Sequence, residues 1–112
     1  MAATPESKVK AKVHAKLKAL GAYAVNYIGG PFATNGTPDI LVCYRGRFIG
    51  IECKAGRGRP TQLQLRSLEK IEAAGGLALI INETNLELLN GLETARSNWR
   101  DFDRPSTDTG AE

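Results

Sequence analysis

Cysteine, histidine and aromatic residues are scarce in this chain, and each scarcity removes a class of function. The 112 residues include two cysteines, one histidine and one tryptophan, with aromatics at 6%. Cys43 and Cys53 form no CxxC pair, which argues against a structural zinc site. His14 lies in a lysine-rich segment with nothing nearby to complete a Ser-His-Asp triad, so a hydroxyl or thiol nucleophile fits poorly. No apolar run approaches the ~20 residues that would span a bilayer. The first residues do not resemble a secretory signal either, so a cytoplasmic setting without membrane partners is expected. There is no helix-turn-helix signature, no zinc finger and no RNA-binding aromatic pair, hence no motif for reading base edges.

Charge is present but unevenly spread. The formal net charge is only +3. Residues 1–20 carry five lysines against Glu6, and residues 45–66 carry five arginines and Lys54 against Glu52. Residues 67–112 carry nine acidic groups against four basic ones. Such asymmetry points to a polyanion on one face; a solvated lysine-rich helix face is the plainer reading of the first segment. With 42% hydrophobic residues, one domain with a modest core is expected, over residues 1–99, followed by a disordered polar tail at 100–112.

Hydrophobic periodicity gives the elements. Thr4 is a good N-cap and Pro5 a good first helical residue; Val9, Val13, Leu17 and Leu20 recur at helical spacing until Gly21. Ala22–Ile28 reads as a strand, and Gly29–Thr37 as a glycine-rich loop that a ligand backbone could approach closely. Thr61 opens a second helix in which Gln64, Leu68, Ile71 and Gly75 follow the helical stripe with Leu65 and Glu72 beside them, ended by Gly75-Gly76. Thr61 and Gln64 have the spacing of a capping box. Leu77–Ile81 reads as a buried strand, and the apolar spacing from Thr84 to Trp99 predicts a third helix weakened by Gly91.

The most informative stretch is the pair of apolar runs Ile40–Tyr44 and Phe48–Ile51, which flank Arg45-Gly46 and read as a β-hairpin. With that turn, Tyr44 faces Arg47 and Asp39 faces Glu52, on one sheet face with Cβ atoms roughly 5 Å apart. Lys54 shares that face, whereas Cys43 and Cys53 diverge and do not form a disulfide. A bulge at Gly50 would break the pairing. Opposed like charges are destabilising. Either a divalent cation removes that cost, or the trio is a salt-bridged cluster at a sheet end.

Pro38-Asp39 followed by Glu52-Cys53-Lys54 resembles the PD-(D/E)xK signature of restriction-endonuclease-like nucleases. With Gly36, Thr37, the basic glycine-rich segment and Gln64 opening a helix, the pattern resembles the VRR-NUC (virus-type replication-repair nuclease) family over roughly residues 5–82. The resemblance implies an α/β fold with an αβββαβ core, a mixed central sheet flanked by helices, in a stand-alone phage- or bacterial-type member. It implies Mg²⁺, with Mn²⁺ as a substitute, bound by Asp39, Glu52 and the backbone carbonyl of Cys53, with Glu6 reaching the metal directly or through water. Lys54 would stabilise charge on the phosphate or help deprotonate water, and Gln64 would border the active site. Lys8, Lys12, Arg57 and Arg59 are the expected DNA phosphate contacts. The implied function is a structure-selective DNA endonuclease of Holliday-junction-resolvase type, serving DNA repair. It would act on four-way junctions as a homodimer and leave 5′-phosphate and 3′-hydroxyl ends. A catalytically inactive DNA-binding subunit that keeps the fold is the alternative.

Overall fold

A computed structural model describes residues 3–103. The elements run α1 (Pro5–Ala19), β1 (Tyr23–Asn26), β2 (Ile40–Tyr44), β3 (Arg47–Cys53), α2 (Gln62–Ala73) and β4 (Leu77–Ile81). Two short 3-10 helices follow, Leu86–Gly91 and Trp99–Phe102. This is the expected αβββαβ order. The strands form one mixed sheet in the order β1-β2-β3-β4, antiparallel through β3 and parallel between β3 and β4. A parallel pair needs a crossover, and α2 supplies it.

The two helices pack on opposite faces of the sheet. Thr4 caps α1 by accepting the Ser7 amide at 3.1 Å, Pro5 starts the first turn, and Val9, Val13 and Leu17 are buried. They pack on Ile40, Val42, Ile49, Ile51, Leu77, Leu79 and Ile81. α2 places Leu65 and Leu68 against Ala78, Ile80 and Trp99 on the other face. Its first turn carries the reciprocal capping box: the Gln64 amide donates to Thr61 Oγ1 at 3.2 Å, and the Thr61 amide donates to Gln64 Oε1 at 2.9 Å.

The hairpin has the expected register, with Tyr44 opposite Arg47, Leu41 opposite Gly50 and Ile40 opposite Ile51. Arg45 (φ 52°) and Gly46 (φ 80°) both lie in the left-handed region, the conformation that matches strand twist in a two-residue turn. No bulge interrupts β3 at Gly50. The glycine answers a close approach instead, because a Cβ there would sit 2.6 Å from Ile71 Cδ1 and 3.1 Å from Pro38 Cγ.

Two segments differ from the sequence expectation. β1 is shorter than Ala22–Ile28, although the Tyr27 amide still donates to the Asp39 carbonyl at 2.8 Å. The helix expected from Thr84 to Trp99 does not form. Its polar residues bond the backbone locally: the Asn82 amide donates to Asn85 Oδ1, the Thr84 amide to Asn82 Oδ1, and Asn85 Nδ2 to the Ile80 carbonyl. Such bonds compete with helical ones. The chain then returns along the outer edge of β4, where Ser97 Oγ accepts the Ala78 amide and Asn98 Oδ1 the Ile80 amide, each at 2.8 Å. Leu89, Leu92 and Trp99 still enter the core. The expected domain boundary at Trp99 falls inside the last 3-10 helix, and residues 104–112 of the expected tail lie outside the described residues.

Candidate active site

The site lies where β2 begins and β3 ends. Asp39 immediately precedes β2, and its Oδ2 accepts the Cys53 backbone amide at 2.9 Å. That bond ties the two strands at the position expected to bring Asp39 and Glu52 together. The other oxygen, Oδ1, lies 3.8 Å from Lys10 Nζ. Glu52 is 1% exposed, which is exceptional for a carboxylate. Its Oε2 sits 3.5 Å from Lys54 Nζ, while its Oε1 is buried and accepts no hydrogen bond.

The electrostatics follow from this placement. Burial pushes the Glu52 carboxyl up to about 8, the Asp39 charge adds to the rise, Lys54 opposes it by charge and hydrogen bonding, and Glu6 adds a smaller upward push. The Cys53 thiol is pushed up to about 12 by burial first and by the Asp39 and Glu52 charges next. Its side chain faces the core, so Cys53 meets the site through its backbone. Both cysteines are free.

An unpaired buried carboxylate oxygen beside a second carboxylate is the donor set a hard cation requires. By that chemistry Asp39 and Glu52 are the candidate ligands. The described residues contain no group of three or more His, Cys, Asp or Glu side chains able to hold a metal, so the protein ligands would be this pair and backbone oxygen.

Around the pair, Glu6 and Lys10 from α1 line a depression with Thr4, Pro5, Ser7 and Ala55. Gln64 uses Oε1 for its cap and keeps its Nε2 hydrogens as further donors. The basic loop after β3 is tethered rather than free. The Gly56 amide donates to the Glu83 carboxylate at 2.9 and 3.1 Å, and Arg59 donates to the Phe102 carbonyl at 3.2 Å. The Gly56 bond holds the Glu83 carboxyl below its usual range, with the Lys12 charge a smaller contribution. Arg57, Lys8 and Lys12 are exposed.

Sequence reading missed two of these residues. Lys10 was one of several helix lysines, and only its position four residues after Glu6 hints that the two share a face. Glu83 lies in the short connection between the expected strand Leu77–Ile81 and the helix expected from Thr84, and nothing in the sequence links it to Gly56.

Among solved structures, the chain is similar to a VRR_NUC domain at 25% identity and a TM-score of 0.60, over 81% of this chain and 96% of that one. It is also similar to Archaeoglobus fulgidus Hjc, a Holliday junction resolvase from an archaeal hyperthermophile, at 16% identity and a TM-score of 0.55, over 68% of this chain and 66% of that one. No protein-family model matches the sequence, and no curated protein does. The fold is thus that of a resolvase-like nuclease, and the resemblance to VRR-NUC domains read from the sequence is borne out.

Proposed function

We propose that the chain is a metal-dependent, structure-selective DNA endonuclease of Holliday-junction-resolvase type. One observation carries this reading: Glu52 is sealed from water with a partnerless oxygen, beside Asp39 and Lys54, in a nuclease fold. A purely structural trio would pair each oxygen; this one leaves a donor site for a cation.

Asp39, Glu52 and the Cys53 carbonyl would hold Mg²⁺, or Mn²⁺ in its place, with Glu6 acting through water. Such an ion, when bound, polarises a phosphate oxygen and lowers the pKa of an attacking water. The protein's own residues do the rest. The Cys53 amide fixes the Asp39 carboxylate in place. Lys54 presents ammonium hydrogens beside Glu52 to the developing charge on the phosphate, or takes part in moving the water proton. Gln64 orients water with its Nε2 hydrogens, and Lys10 tempers the charge on Asp39. Lys8, Lys12, Arg57 and Arg59 contact the DNA backbone, which reads position and shape rather than sequence. A branched, two-fold symmetric substrate such as a four-way junction suits a homodimer with one site per strand. The products carry 5′-phosphate and 3′-hydroxyl ends, and the work is DNA repair in the cytoplasm. No helix among the described residues is long and apolar enough to cross a membrane.

The test is a cleavage panel of labelled junction, flap and duplex DNA with Mg²⁺, Mn²⁺ or chelator. Junction cutting that needs the metal and disappears in Asp39→Asn and Lys54→Ala supports the reading. Cutting that survives either substitution removes this site, and binding without cutting makes the protein an inactive DNA-binding subunit.

A further inference from the structure

We infer that Phe32, in the loop between β1 and β2, stacks against a base face exposed at the branch point of the DNA. The inference rests on the nuclease reading and names the substrate feature that the site selects. Phe32 is 100% exposed and Ile28 84% exposed. Folding therefore leaves two large apolar side chains in water on either side of Gly29-Gly30-Pro31.

The loop that holds them is braced. Tyr27 Oη accepts the Thr34 amide at 2.8 Å, Thr37 Oγ1 donates to the Thr34 carbonyl at 2.8 Å, and the Ala33 amide donates to the Gly30 carbonyl at 3.0 Å. Gly36 (φ 85°) lies so close to α2 that a Cβ would sit 2.6 Å from the Leu63 carbonyl oxygen. Phe32 is thus presented from a supported frame. That same loop walls a groove through Tyr27, Gly29, Gly30, Ala33 and Thr34 that reaches Asp39, half of the candidate cation pair. At Gly29 and Gly30 a Cβ would meet nothing within 4 Å, so backbone is open to an approaching strand.

The chemistry of the loop selects the partner. Residues 28–38 carry no charged side chain, so this segment is poorly suited to grip phosphate. A phenyl ring offers a π-face, and every nucleobase has one to match. In a continuous duplex those faces are covered by neighbouring bases. At a branch the stack is interrupted, and an apolar wedge can occupy the step. Phe32 would thereby favour branched DNA beside the cutting site. A subunit contact is less apt: the apolar depression on the sheet is lined by Tyr23, Val25, Leu41, Val42, Cys43 and Phe48, and Phe32 is not part of it.

The full chain is tested with a four-way junction carrying 2-aminopurine at the branch, in Ca²⁺ to follow binding, and with a matched duplex. Wild type and Phe32→Trp change the branch-point fluorescence; Phe32→Ala does not, while its melting temperature and oligomeric state stay as in wild type. Its affinity for the junction falls about tenfold and that for the duplex is unchanged. An unaltered fluorescence response and junction affinity in Phe32→Ala overturn the inference, as does an equal loss on junction and duplex. A change of oligomeric state in Phe32→Ala assigns the ring to a subunit contact instead. If wild type neither binds nor cuts any DNA, the nuclease reading itself falls; intact cutting by wild type and Phe32→Ala alike sinks only the role of Phe32.

Discussion

A carboxylate oxygen sealed from water with nothing to accept from is a cost that folding ordinarily avoids. Glu52 keeps that cost, and its pH linkage makes it measurable. The carboxyl titrates near 8 in the folded chain against an ordinary 4.5. Between those values the folded protein holds a proton that the unfolded chain has released. Stability without metal is therefore highest at or below about pH 4.5 as far as this group is concerned, falls as pH rises towards 8, and levels off above it. At about 1.4 kcal/mol per pKa unit, the loss is on the order of a few kcal/mol. Thermal melts in chelator should show wild type losing stability from pH 5 to pH 8 and Glu52→Gln losing much less. Mg²⁺ should raise the melting temperature of wild type more at pH 8 than at pH 5, and leave Glu52→Gln unmoved. Parallel pH curves for the two proteins would mean that Glu52 is not the strained group. Burial is what the sequence could not display here: Asp39, Glu52 and Lys54 were legible as a cluster, but not the orphaned oxygen, because it depends on packing from both faces of the sheet.

At the scale of elements, legibility followed the range of the determining interactions. The hairpin register was readable because a two-residue turn fixes it locally, and the Arg45-Gly46 turn adopted the required backbone. The helix expected after β4 does not form because Asn85, Ser97 and Asn98 answer to the β4 backbone, a tertiary demand that outweighs apolar spacing. Gly50 shows the same division. It was visible as an anomaly in a strand, yet its cause is α2 lying close above it. Gly50→Ala should destabilise by about 1–3 kcal/mol through overpacking against Ile71 and Pro38. Gly91→Ala, where a Cβ meets nothing within 4 Å, should stay within about 1 kcal/mol of wild type or exceed it. Urea midpoints decide this, and equal effects at the two positions would refute the close-approach account. The capping role of Gln64 and its proposed role at the site can be separated on the same helix. Thr61→Ala and Gln64→Ala each break the capping box, at a cost near 1 kcal/mol. Well below the melting temperature, cutting should drop only in Gln64→Ala. An equal drop in both variants would reduce Gln64 to a cap.

On the scale of the whole molecule, the sheet is covered unequally. α1 and the first 3-10 helix pack over one face, whereas α2 reaches only the β3–β4 half of the other. The remaining half presents Tyr23 at 71% exposure and Phe48 at 47%, with Val25, Leu41 and Cys43 beside them. β1 is also an outer strand of the sheet, whereas the outer edge of β4 is occupied by Ser97 and Asn98. A contiguous apolar patch next to a bare strand edge marks an association surface. The proposed homodimer would use it, because self-association covers both liabilities with the same residues, as a two-fold interface requires. The candidate site residues lie at the opposite end of β2 and β3 from the hairpin turn. Phe48→Glu and Val25→Arg should therefore convert a dimer to a folded monomer in sedimentation, with the circular dichroism spectrum retained. In the monomer, nicking of one strand should persist while paired cuts across a four-way junction fall at least tenfold, since the second cut must wait for a second encounter. Wild type that sediments as a monomer at concentrations where it makes paired cuts would dismiss the dimer, as would variants that remain dimeric with both charges in place.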